Sequence, residues 1–164
     1  MKTHRIVLVA VALGALVLTG SALGLSAHSS AATVVTTKKT SSFGTILATS
    51  SGRTLYLDSS DKPGHPACTG GCLSIWPPLK ASGTSKASGG AKASLLGTTK
   101  IAKGVTQVTY GGHQLYTFAS DTKSSQTSGE GVNGFYVVSA NGTKITKATA
   151  SKPAAKPPGY NYSY

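Results

Sequence analysis

Leu55-Tyr56-Leu57-Asp58-Ser59-Ser60-Asp61 returns 60 residues later as Leu115-Tyr116-Thr117-Phe118-Ala119-Ser120-Asp121. The correspondence holds at one offset from Gly44/Gly104 through Thr49/Thr109, Gly52/Gly112, Leu55/Leu115 and Tyr56/Tyr116 to Asp61/Asp121 and Gly71/Gly131. An aromatic pair, Trp76/Tyr136, closes it. Only 8 of the 33 positions from 44 to 76 are identical. They fall on turn glycines and on a Tyr-x-x-x-x-Asp spacing, which is where one supersecondary unit used twice keeps its residues. The chain therefore reads as two copies of one unit.

Each copy carries a hairpin signal. Thr45–Thr49 and Thr54–Leu57 flank Ser50-Ser51-Gly52-Arg53, and Val105–Tyr110 and His113–Phe118 flank Gly111-Gly112. The second turn sets a register in which Tyr110 faces His113 and Val108 faces Leu115. The same register in the first copy pairs Ala48 with Leu55 and Leu47 with Tyr56. Apolar residues fall on both faces, which predicts an all-β domain, a small sandwich or barrel of two pseudo-symmetric repeats. Phe135–Val138 continues the second copy as a strand. Pro77-Pro78 forbid a central strand in the matching segment of the first, which runs along an edge or leaves the sheet.

Outside the repeats the composition changes. Residues 1–32 have a basic start (Lys2, Arg5), an apolar run from Ile6, and small residues at 20–22 and 30–32, the plan of a cleaved signal peptide. An uncleaved anchor is the competing reading. No cysteine stands near this segment for lipid attachment. Residues 33–42 read as a spacer, 43–142 as the β domain (repeat one 43–79, flexible insert 80–92, repeat two 93–142), and 143–164 as a disordered basic Pro/Tyr tail.

The chain holds 16 basic and 4 acidic side chains. Loss of residues 1–32 removes Lys2 and Arg5 and leaves 14 against 4, a net charge of +10. In an exported protein that charge points to anionic wall polymers or a membrane surface. No nucleic-acid-binding motif accompanies it.

Tyr116-x-Phe118-x-x-Asp121, Cys68-Thr69-Gly70-Gly71-Cys72 followed by Trp76-Pro77-Pro78-Leu79, Ala93–Gly97 and Gln107–Gly112 resemble a bacterial secreted or lipoprotein repeat family. The family is marked by a Tyr-x-aromatic-x-x-Asp motif, and its function is uncharacterised. The first copy departs from the motif, with Asp58 at the aromatic position.

The motif residues Tyr56, Asp61, Trp76, Tyr116, Phe118 and Asp121 are read as structural, with the aspartates bonding turn amides and the tyrosines as core rings with a polar tip at the surface. No catalytic residue is assigned, because the carboxylates are few and no Gly-x-Ser-x-Gly elbow is present. A hydrolase on Asp61 and Asp121 ranks third among the functional readings. Cys68 and Cys72 are assigned to a disulfide, with no cofactor. The alternative is a metal- or electron-handling loop in which His65, Cys68 and Cys72 take copper or zinc. The leading function is a non-enzymatic binding or surface-associated module of the cell envelope or extracellular space.

Overall fold

The computed structural model describes residues 31–102 and 104–146. Residues 1–30, which hold most of the expected signal peptide, and residues 147–164 of the expected tail lie outside them. Eight strands and one helical turn follow in order: β1 (Val34–Thr40), β2 (Gly44–Thr49), β3 (Tyr56–Asp58), α1 (Cys72–Ile75), β4 (Lys86–Ala87), β5 (Leu96–Ala102), β6 (Val105–Tyr110), β7 (His113–Gln114) and β8 (Phe135–Val137). They form three small sheets, β2-β1-β4, β3-β8 and β5-β6-β7, which do not close into a barrel. The protein is all-β and sandwich-like.

The duplication is visible in the pairing. Antiparallel β1–β2 and β5–β6 are counterparts: Val35 opposite Thr49 in the first matches Leu96 opposite Tyr110 in the second. These strands are related by an offset of 61, as Thr49 is to Tyr110. The first hairpin closes with Thr49 N–H donating to Arg53 C=O and leaves three residues in its loop. The second pairs Tyr110 with His113 and leaves two. The extra loop residue brings the offset to 60 at Tyr56/Tyr116. It also corrects the register of the first hairpin: Ala48 pairs with Thr54, and Leu55 N–H reaches Leu47 C=O. The second hairpin keeps its expected register, Tyr110 with His113.

A second slip follows. α1 is four residues long where the second copy has a three-residue 3₁₀ turn, Val132–Gly134. Trp76 is therefore the counterpart of Phe135 and not of Tyr136. The bonds agree, since Leu79 N–H donates to Leu115 C=O as Val138 N–H donates to Leu55 C=O.

Those bonds also show that the repeats exchange their last segments. Val138 C=O accepts from Leu47, and β8 pairs with β3, so the end of repeat two completes repeat one. Leu79 C=O accepts from Val108, and Pro78 bridges Tyr116, so the end of repeat one completes repeat two. At the centre, Tyr56 and Tyr116 exchange both backbone hydrogen bonds at 2.9 Å. The pseudo-two-fold axis passes between them.

The core has two sides. Alternation along the central strands sends Ile46, Tyr56, Tyr116 and Val137 to one, with Trp76 and Phe135. It sends Leu47, Leu55, Leu57, Leu115 and Val138 to the other, with Val35, Val108 and Tyr110. Burial on both faces is why these strands carry near-continuous apolar runs.

Three boundaries are corrected. Residues 33–42 are not a spacer: they contain β1, which pairs with β2 along its length. Its Thr and Lys residues face partly to solvent, so only Val35 marked a buried face. The insert 80–92 contains β4, which runs parallel to β1. The domain also continues past residue 142, because Ile145 is buried and its N–H bonds Val137 C=O.

Strand exchange makes the two repeats one cooperative unit. Neither half, 31–92 nor 93–146, should fold alone, because each would present unpaired strand edges and half a core. Far-UV circular dichroism of the separate halves should show unfolded chains. A folded half would contradict the exchange.

Candidate functional site

The twice-repeated stretch puts its tyrosines and aspartates at the centre, and the pairs cross. Tyr56 Oη donates to Asp121 Oδ2 at 2.5 Å, and Tyr116 Oη donates to Asp61 Oδ2 at 2.8 Å. Each tyrosine thus serves the aspartate of the other repeat. The second oxygen of each carboxylate takes an amide from its own loop: Ala67 N–H to Asp61 Oδ1 at 2.7 Å, and Ser128 N–H to Asp121 Oδ1 at 3.0 Å. The Tyr56 hydroxyl also accepts the Gly129 amide at 3.3 Å. Tyr56 and Tyr116 are fully buried, hydroxyls included, so the tyrosine tips do not reach the surface.

Burial is the first cause that raises the pKa of both phenols far above the ordinary 10.0, with the adjacent aspartate reinforcing it. Asp61 is also raised above 3.8, chiefly by burial and to a smaller degree by the charge of Asp58, against the lowering effect of the Ala67 amide and the Tyr116 hydroxyl. Such groups are built to hold a structure. A phenol that resists ionisation is a poor base, and both carboxylates already have two donors.

Trp76 lies deep in the same cluster. Its ring stacks on Phe135 (centroids 3.8 Å, planes 4° apart), takes Phe118 at 4.5 Å and meets the edge of Tyr56 at 5.3 Å. Stacking joins Trp76 to its counterpart across the pseudo-dyad, which the Trp76/Tyr136 alignment missed. The Trp76 backbone N–H donates to Cys72 C=O at 2.8 Å and closes α1, whereas the buried indole N–H has no partner among the described residues. Cys72 begins that turn and is bridged to Cys68, with Cα atoms 5.4 Å apart. The bridge fixes the loop that delivers the indole.

With both sulfurs in the bridge, the thiolate pair needed by the copper or zinc reading is absent. His65 is exposed and bonds backbone groups of Lys62. Among the described residues no three His, Cys, Asp or Glu side chains converge.

Other buried polar groups gave no sequence signal. Gln107 Nε2 donates to Leu115 C=O at 2.9 Å, Gln114 Nε2 to Lys62 C=O at 3.1 Å, and Arg53 Nη2 to Phe118 C=O at 2.7 Å. All three bind backbone that only the fold brings near.

Residues 36–80 and 97–138 match a family model described as a secreted repeat of unknown function. The chain belongs to this family. The two matched segments lie one in each of the halves that exchange strands, so in this chain each matched repeat contributes one tyrosine and one aspartate that bond across the pair. Membership of a family described as secreted agrees with export. Among the described residues no helix is long and apolar enough to cross a membrane. Neither the curated proteins nor the solved structures contain a match to this secreted-repeat protein.

Removing one tyrosine hydroxyl strands a carboxylate. Tyr56→Phe should cost about 1–3 kcal/mol of unfolding free energy, the desolvation penalty of a buried acceptor left without its donor. Tyr116→Phe should cost less, because Asp61 is partly exposed whereas Asp121 is only 2% exposed. Urea unfolding of the two variants would show the order, and equal or negligible losses would refute it.

The raised pKa of Asp61 gives its pH dependence a definite sign. The folded state holds that proton more tightly than the unfolded chain does. Its stabilising contribution is complete below the unfolded value, near 3.8, and is lost as pH rises through the folded value. Asp61→Asn should remove this decline, so wild type and variant should converge in their pH dependence only at the acidic end. Urea midpoints measured from acid to neutral pH give the comparison.

Proposed function

We propose that this secreted-repeat protein is a non-enzymatic, surface-associated binding module. In this reading residues 1–32 export it as a cleaved signal peptide, and anionic wall polymers or an anionic membrane surface retain it. One observation carries the proposal: charge is sorted by depth. Every lysine among the described residues is exposed, from Lys38 to Lys144. All four carboxylates are buried or partly buried, and each accepts a backbone amide: Asp58 from Ser60, Asp61 from Ala67, Asp121 from Ser128 and Glu130 from Val137. The acids are spent on the fold, and the outside is left cationic. Such a surface attracts polyanions without needing a shaped site.

The same commitments support a role without catalysis. Asp61 and Asp121, the only candidate acid–base pair, each hold a tyrosine and a loop amide, with no donor-free oxygen to take a substrate proton.

The test is chromatography of the secreted protein on sulfated dextran, with neutral dextran as control. Retention should be confined to the sulfated resin and released by moderate salt, since exposed charges are screened within about 8–10 Å at physiological ionic strength. Lys38→Glu with Lys39→Glu should elute earlier. Retention on neutral dextran, or an unchanged elution of the charge-reversed variant, would overturn the proposal.

A further inference from the structure

The first repeat departs from the second at one motif position, and the consequence is a cavity. In repeat two, Phe118 stands across from Trp76: Thr117 N–H bonds Pro77 C=O, Ala119 N–H bonds Ile75 C=O, and the phenyl packs on the indole at 4.5 Å. In repeat one the same relation joins Asp58 to Phe135, the terminal pair of β3 and β8. A carboxylate does not fill the volume of a phenyl ring. A cleft of about 290 Å³ opens there, lined by Asp58, Ser60, Asn133, Ile75, the Cys68–Cys72 bridge, Trp76 and Phe135.

Asp58 is 6% exposed, and the Ser60 amide, at 2.8 Å from Oδ1, is the one hydrogen bond of its carboxylate among the described residues. Asp61 and Asp121 each have a tyrosine as well; Asp58 has none. Its Oδ2 is not among the buried oxygens left without a partner, so it faces the open cleft, where a ligand that displaces water must supply a donor. Ile75, at the rim, is the exposed large hydrophobic residue of the described chain, at 48%. The cleft thus joins a carboxylate with one oxygen open to a ligand to an apolar edge.

We propose that this cleft binds an alkylammonium group, a primary ammonium on a short apolar stem, with Asp58 as counter-ion and Ile75 and the disulfide against the stem. The chemistry narrows the ligand. An anion would meet Asp58, and a neutral hydrocarbon would leave that carboxylate unsatisfied. A bare calcium ion needs six or more oxygens, roughly, where the cleft offers one carboxylate. An ammonium donates three hydrogen bonds and carries the opposite charge. The positive outer surface does not forbid approach at physiological salt, because a contact ion pair is far shorter than the screening length of about 8 Å. A lysine side chain and a free alkylamine share this chemistry.

The experiment uses the ¹⁵N-labelled secreted protein titrated with n-butylammonium chloride at constant ionic strength. Saturable shifts should appear at the Ser60 and Asn133 amides and at the Trp76 indole, with millimolar or tighter affinity, and n-butanol should produce none. Asp58→Asn keeps the shape, removes the charge and should weaken binding about tenfold or more. Asp58→Phe rebuilds the arrangement of the second repeat, closes the cleft and should abolish binding without lowering the melting temperature. A lysine-containing peptide that binds more tightly than butylammonium would assign the site to a protein partner; the reverse would assign it to a free amine. Equal affinity of wild type and Asp58→Asn, or the absence of saturable shifts at these residues, would overturn the proposal.

Discussion

Two aspartates are held inside this protein by hydroxyls that belong to the opposite repeat, and the rest of the structure follows from that exchange. A carboxylate taken out of water is tolerable only with donors in place. Each repeat supplies one donor, a loop amide, and lacks the other. The missing hydroxyl arrives only when Tyr56 and Tyr116 lie side by side on antiparallel backbone. The last strand of each repeat enforces this by crossing to the other half. Local sequence cannot complete either sheet or either acid site, so folding is coupled over a span of about half the chain.

The same economy shapes the surface. Because the few acids are used inside, lysines meet solvent without neighbouring carboxylates to neutralise them. Charge is therefore sorted by depth: carboxylates bond the fold within, and lysines leave a cationic surface outside. The disulfide works at a smaller scale. Its loop is short, so its effect on the unfolded chain is modest, roughly 2 kcal/mol. Its position at the start of α1 is what counts, because that turn leads directly into Trp76, the largest side chain of the core.

Duplication also permits asymmetry. One copy keeps the aromatic at the motif position and fills its side of the core with Phe118. The other holds Asp58 and keeps an open cleft over Phe135. The intact copy supplies packing that a single unit would lose, so the diverged position is free to take a different role.

Much of the architecture was legible in the residues. The recurrence of Tyr56–Asp61 as Tyr116–Asp121, the two turn signals and the two-faced apolar pattern specify a duplicated all-β domain, because period, turn chemistry and spacing are local properties of a chain. The two cysteines sit close enough in sequence for their bridge to be local as well. Register and partnership were not legible. One extra residue in the first hairpin loop moved Leu55 from Ala48 to Leu47, and one extra residue in α1 made Phe135, not Tyr136, the mate of Trp76. β1 escaped notice because its burial comes from strands that reach it only in the folded state. Which aspartate each tyrosine serves was decided by tertiary structure alone. Hydrogen bonds between residues 55 and 65 positions apart depend on chain crossing, and no local pattern encodes that.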